Sequence, residues 1–306
     1  MIRLGQASAD KAILNMYRIT FAIAGILMSA AINAQNTVPM KKSTASRNVH
    51  IIDTAFRIPQ LNRTRRIWIY LPEVYEKEAS KQFPVLYMHD GQNLFDDATS
   101  FIGEWGVDEY LDSLKAGQCI VVGIDNGGEH RITELNPYDH PKYGKGEGKK
   151  YLEFIVKTLK PFIDKNYRTL KDKENTAIAG SSMGGLISMY AVLQYPKVFG
   201  KAGVFSPSFW ITDNKIFDEI KKKGTKVNSF IYLYGGKQEG GQMVLDMVKA
   251  IETFPPQSKV KIVSAVREEG QHNEARWRLE FPLFYRALLG DGQIPQSTVP
   301  SYWLGH

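Results

Sequence analysis

The sequence predicts an α/β fold, a mostly parallel sheet of eight strands with helices on both faces. Three observations predict it. Short apolar runs of strand length alternate with longer amphipathic runs, and that alternation marks a parallel sheet covered on both sides. The first two strand-like runs follow one another with no helix between them, which predicts an antiparallel start. A chain of 306 residues, 43% hydrophobic and 23% charged, is long and apolar enough to bury one large core.

In order, the expected strands are Val49 to Ile58, Arg66 to Leu71, Val85 to His89, Cys119 to Asp125, Thr176 to Ala179, Ala202 to Phe205, Phe230 to Tyr234 and Val260 to Val266. The expected helices are Trp105 to Leu114, Lys149 to Asn166, Met183 to Gln194, Asn214 to Lys222, Gln242 to Thr253 and Asn273 to Leu289. Between Asn126 and Gly148 the chain is rich in Gly, Pro, Tyr and charge, and a loop of that length in a compact domain is usually a lid or a binding loop. The sole cysteine, Cys119, excludes an internal disulfide and, inside an apolar strand, reads as a buried thiol.

The most informative stretch is Gly180-Ser181-Ser182-Met183-Gly184, at the seam between an expected strand and an expected helix. In a G-x-S-x-G elbow the serine takes a strained backbone, and the flanking glycines let strand and helix approach without a Cβ clash. Ser182 is therefore the candidate nucleophile. A serine hydroxyl needs a base, and of the six histidines His272 is best placed, after the last strand and before the final helix. His50, His130, His140 and His306 are less well placed. The orienting acid should follow the strand Phe230 to Tyr234, where Glu239 stands; Asp246, within the next helix, competes, and Glu268 and Glu269 stay open.

Acyl transfer also needs two donors for the oxyanion. The amide of Met183, at the start of a helix, is one; the amide of Gln92, in a turn that Gly91 permits, is the other. His89, Asp90 and Asp96 admit an alternative reading as metal ligands.

The segments His89 to Asp96, Gly180 to Gly185, Phe205 to Trp210 and Gly270 to Glu274 together resemble the putative-esterase family, which includes esterase D, feruloyl and acetylxylan esterases, enterochelin esterases and mycolyltransferases. The resemblance runs from about Arg47 to Leu289. It implies an α/β-hydrolase fold, no cofactor, and a triad of Ser182, Glu239 and His272. Arg131 and Glu134 resemble the family's Arg-x-x-Glu element, which suits a brace for the long loop. Substrate identity does not carry over.

Trp105, Phe209, Trp210, Tyr138 and Tyr143 are the aromatic candidates for a substrate cleft, with Arg131 beside them; core packing is the alternative for Trp105 and Phe209. Residues 1–34 read as a signal peptide. Met16-Tyr17-Arg18 opens it, Ile19 to Ile32 is apolar but short for a membrane span, and Asn33-Ala34 before Gln35 resembles a cleavage site. An uncleaved anchor is the alternative. Residues 35–47 are expected to be a flexible lead-in and 48–306 the catalytic domain.

Of the net charge of +7, Arg3, Lys11 and Arg18 against Asp10 carry +2, leaving +5 on the mature chain. That scattered excess does not describe a nucleic-acid-binding face. The sequence thus predicts an exported serine carboxylesterase acting on a small-molecule or carbohydrate ester, acetyl, feruloyl or siderophore, without stable membrane insertion once the signal is cleaved. Acyl transfer, peptide hydrolysis and a non-catalytic binding protein of the same fold are the alternatives.

Overall fold

Residues 41–289 are described by a computed structural model. The expected leader, the first part of the lead-in and His306 lie outside the described residues. Eight strands form one sheet in the order β1-β2-β4-β3-β5-β6-β7-β8. They are β1 Val49–Ile58, β2 Arg63–Tyr70, β3 Val85–His89, β4 Ile120–Ile124, β5 Thr176–Ser181, β6 Lys201–Phe205, β7 Phe230–Gly236 and β8 Lys261–Arg267. β1 pairs antiparallel with β2, β2 pairs antiparallel with β4, and every later pairing is parallel. The two leading strands open the sheet as expected.

β3, β4 and β5 are buried at every position. Burial on both faces explains why they read as unbroken apolar runs rather than as alternating ones. Their side chains nonetheless divide by the two-residue period of a strand. Val85, Tyr87, Val122, Ile178, Val204 and Leu233 enter one core with the helices Gly148–Phe154, Met183–Gln194 and Gly241–Thr253. Leu86, Met88, Val121, Ala179, Phe205 and Tyr232 enter a second core, closed by the helices Val107–Asp112 and Glu274–Leu289. Cys119 joins the second core, and burial pushes its thiol up to about 12.

Several expectations are corrected. The stretch expected as one helix from Lys149 to Asn166 is continuous, but it passes through a π-helical turn, Ile155–Leu159, between Gly148–Phe154 and Lys160–Asn166. Pro161 lacks the N–H that an α-helical bond to the Lys157 carbonyl would need, so the ladder shifts locally. The long loop holds a short helix, Arg131–Glu134. The chain just before Asn48 is tied down: Ser43 Oγ donates to Asp96 at 2.7 Å, Thr44 Oγ1 to Glu104 at 2.9 Å, and the Ser46 amide to Asp108 at 2.7 Å. Among the described residues no helix is long and apolar enough to cross a membrane.

Candidate active site

Ser182 links β5 to the helix Met183–Gln194 and holds φ 59° and ψ −119°, a conformation that side chains rarely adopt. Two backbone bonds from the end of β6 fix it: the Ser182 amide donates to the Phe205 carbonyl at 2.9 Å, and the Ser208 amide donates to the Ser182 carbonyl at 3.1 Å. The Ser182 hydroxyl lies 3.1 Å from that of Ser208. The seam found in sequence is thus held from the neighbouring strand, which keeps the hydroxyl at the carboxyl end of the sheet.

Glu239 ends a 3-10 turn, Lys237–Glu239, directly after β7, and His272 lies in the turn between β8 and the last helix. The Glu239 Oε2 to His272 Nδ1 distance is 2.8 Å. Because an ionised carboxylate only accepts, Nδ1 carries the proton and Nε2 is left as the basic nitrogen. The other Glu239 oxygen accepts from Ser206 Oγ and from the Gly236 amide, both at 2.7 Å. The Glu239 side chain is 1% exposed, against 41% for His272. The two turns meet where Gly236 packs on Gly270, and a Cβ on either would overlap the other's backbone. Only glycines permit this contact.

Sequence reasoning missed Ser206, Trp277 and Glu274. Trp277 Nε1 donates to Ser206 Oγ at 3.0 Å, and its ring meets the His272 ring edge-on, with centroids 5.1 Å apart and planes at 80°. Ser206 sits inside the Phe205 to Trp210 motif and Glu274 inside the Gly270 to Glu274 motif, so both were visible as motif members without a role. Of the competing acids, Asp246 is buried and accepts from Gln242 Nε2 at 2.8 Å. Glu268 pairs with Lys237, and Glu269 with Arg276.

A cavity of about 710 Å³ opens over the elbow, lined by Ser182, His272, Gln92, Arg131, Glu274 and Trp277 among others. Gln92 lies in a 3-10 turn, Gly91–Asn93, and its side-chain oxygen accepts from the Asn126 amide at 3.1 Å. Gly91 is buried so closely that a Cβ there would run into the backbone of Gly123 and Ile124. Met183 is the first residue of its helix, where amides lack an intrahelical acceptor.

The aromatic residues divide. Trp105 is buried at 3% exposure against Phe205, Trp277 and Phe281, so it is a core residue and does not line the cavity. Its ring packs against the indole of Trp277, with centroids 5.7 Å apart and planes at 31°. Phe209 is likewise buried, and Trp210 is 56% exposed beside Tyr143, outside the cavity lining. Arg131 does line the cavity, but both ends of its guanidinium are held by Asp90, Nε at 2.6 Å and Nη2 at 2.9 Å. Burial acts to raise the Asp90 carboxyl, yet Arg131 holds it below its usual range. Glu134 pairs with Arg63 and Arg65, not with Arg131, so the two residues brace the loop through separate partners.

His89, Asp90 and Asp96 do not gather as a ligand set. His89 Nδ1 lies 2.9 Å from the Tyr151 hydroxyl, Asp90 is held by Arg131 and Asn126, and Asp96 accepts from Ser43 and the Thr44 and Ala98 amides. Among the described residues no group of three His, Cys, Asp or Glu is arranged to hold a metal ion.

The chain is 29% identical over 184 residues to the uncharacterized protein YbbA of Bacillus subtilis, covering 58% of this chain and 69% of that one. It is 27% identical over 215 residues to an endo-1,4-beta-xylanase/feruloyl esterase of Xylanibacter ruminicola, covering 69% of this chain but only 27% of that longer protein. The crystal structure of enterochelin esterase from Shigella flexneri superposes with a TM-score of 0.64 at 18% identity, over 80% of this chain and 59% of that one. At that identity the likeness speaks for the fold, which is the α/β-hydrolase type. The sequence profile of the putative esterase family matches residues 58–286, and the chain belongs to that family.

Proposed function

We propose that this protein is a serine carboxylesterase working through an acyl-enzyme, with Ser182 as nucleophile, His272 as general base and acid, and Glu239 as the orienting carboxylate. Family membership supports ester hydrolysis. One observation carries the finer reading: a serine in a strained elbow and a histidine whose far nitrogen is bound by a buried carboxylate line the same cavity.

The chemistry follows from that arrangement. His272 Nε2 takes the Ser182 proton as Oγ attacks the ester carbonyl, and Glu239 stabilises the imidazolium that forms. The carbonyl oxygen becomes an anion, for which the amides of Gln92 and Met183 are the proposed donors, each worth about 3 kcal/mol in the transition state. Collapse of the intermediate expels the alcohol, protonated by His272, and water repeats the sequence on the acyl-enzyme. The substrate we propose is a small-molecule or carbohydrate-linked ester, in keeping with the feruloyl esterase named among the relatives. Export is part of the proposal, on the strength of the apolar stretch Ile19 to Ile32.

The test is labelling by a fluorophosphonate and turnover of p-nitrophenyl esters. Wild type should do both, and Ser182→Ala should do neither, with kcat lower by about 10⁴-fold or more. Ser181→Ala should keep most activity. Full turnover by Ser182→Ala would overturn the assignment. A mature chain recovered outside the cytoplasm and beginning at Gln35 would support export, and recovery only inside would refute it.

A further inference from the structure

Given the serine esterase reading, on which this inference rests, the charges on the cavity wall bear on which esters the site admits. Besides His272, the charged side chains lining the cavity are Asp90, Arg131 and Glu274. We propose that Glu274 selects against esters carrying a negative charge near the scissile bond, so that uncharged esters are the substrates of this site.

Arg131 is the one cation of the three, and both Asp90 oxygens engage it. Its charge is matched before any substrate arrives. Glu274 is 8% exposed and accepts from the neutral Asn93 Nδ2 at 3.2 Å and from its own backbone amide. Among the described residues no Lys or Arg stands at ion-pair distance from it. Two carboxylates against one guanidinium leave the wall with one uncompensated negative charge when all three are ionised. Burial raises the Glu274 carboxyl above its usual range despite the opposing attraction of Arg131 and His272, neither of which is close enough to form an ion pair with it.

An anionic group on the substrate would enter a partly desolvated space facing that charge. At roughly 8 Å and an effective dielectric of about 20, the repulsion corresponds to a factor of roughly 30 in binding. The cavity lining also includes Phe101 and Ile102, 82% and 69% exposed, which offer an apolar surface to an uncharged acyl or aryl group. A carboxylate, a phosphate or a ferric catecholate anion would find no unmatched cation on the wall to receive it.

The experiment compares matched esters that differ only in charge, at pH 8 and low salt. One pair varies the acyl side, the p-nitrophenyl esters of glutaric and glutaramic acid. The other varies the alcohol side, 4-carboxyphenyl and 4-carbamoylphenyl acetate. Wild type should favour the uncharged member of at least one pair by about 30-fold in kcat/KM, and 0.5 M NaCl should reduce that ratio through screening. Glu274→Gln should bring the ratio to about threefold, whatever it does to turnover of each ester alone. Ratios near one in both pairs would overturn the proposal, as would a ratio that Glu274→Gln leaves unchanged. If that variant does not fold, the salt arm on wild type decides, since a salt-independent ratio refutes a charge mechanism. Absence of turnover on all four esters, together with no labelling of Ser182, would instead defeat the serine esterase reading itself.

Discussion

Ser206 Oγ donates to Glu239 Oε1 at 2.7 Å while accepting from the buried indole of Trp277 at 3.0 Å, so the carboxylate facing His272 is aimed by a residue at the end of a different strand. Removing the hydroxyl should loosen that aim without removing the charge. Ser206→Ala should lower kcat by about tenfold and cost about 1 to 3 kcal/mol of stability, because the Trp277 N–H is left unpaired. Steady-state kinetics and denaturant unfolding read the two effects separately. Unchanged kcat with a destabilised fold would reduce Ser206 to a packing role.

Glu239→Gln keeps shape but not acceptor capacity. Its oxygen would stay with Ser206 and Gly236, so its amide would face His272 Nδ1 and favour the tautomer with the proton on Nε2. That tautomer cannot accept the serine proton. We expect kcat to fall by about 10² to 10⁴-fold with little change in Tm.

Asp246→Asn provides the contrast. Asp246 is buried and bonded by Gln242, but it lies outside the cavity lining, and asparagine retains an oxygen for that bond. Activity should stay within about threefold of wild type, and stability within about 1 kcal/mol. A loss as large as that of Glu239→Gln would reassign the acid.

Gly270→Ala tests the contact that joins the two turns. A methyl there meets Gly236 and the Tyr234 hydroxyl, so the Glu239 turn and the His272 turn must separate. Since small misplacements of catalytic groups are costly, kcat should drop by about tenfold or more while KM changes little. A variant with native kcat would show that the turns tolerate separation.

His89 gives a stability prediction with a sign. Burial pushes its imidazole from an ordinary 6.5 down to about 4, so between those values the unfolded chain takes up a proton that the folded chain refuses. Stability therefore falls as pH is lowered from about 6.5 to about 4, by about 3 kcal/mol from this group. His89→Gln should flatten that part of the profile relative to wild type. Urea unfolding at pH 6.5 and at pH 4 measures the difference, and parallel profiles for the two proteins would contradict it.

How much of this was legible in the sequence depends on the range of the interactions involved. The parallel sheet, the helix Met183–Gln194 and the strand β3 follow from local patterning, because strand and helix periods are written in neighbouring residues. So does the elbow, where the strain at Ser182 depends on adjacent glycines and the strand-to-helix seam. Chain order and turn positions likewise singled out His272 and Glu239. The tertiary structure decided what depends on residues distant in sequence. It put Trp105 in the core against Trp277, since a tryptophan in a loop-to-helix entry looks the same whether it faces a cleft or a core. It gave Arg131 to Asp90 and Glu134 to Arg63 and Arg65, because ion pairing is set by which segments the fold brings side by side. It also brought Ser206 and Glu274 to the site, one from the end of β6 and one from the start of the last helix. No local period carries that convergence, which arises only when the carboxyl ends of β5, β6, β7 and β8 come to lie along one edge of the sheet.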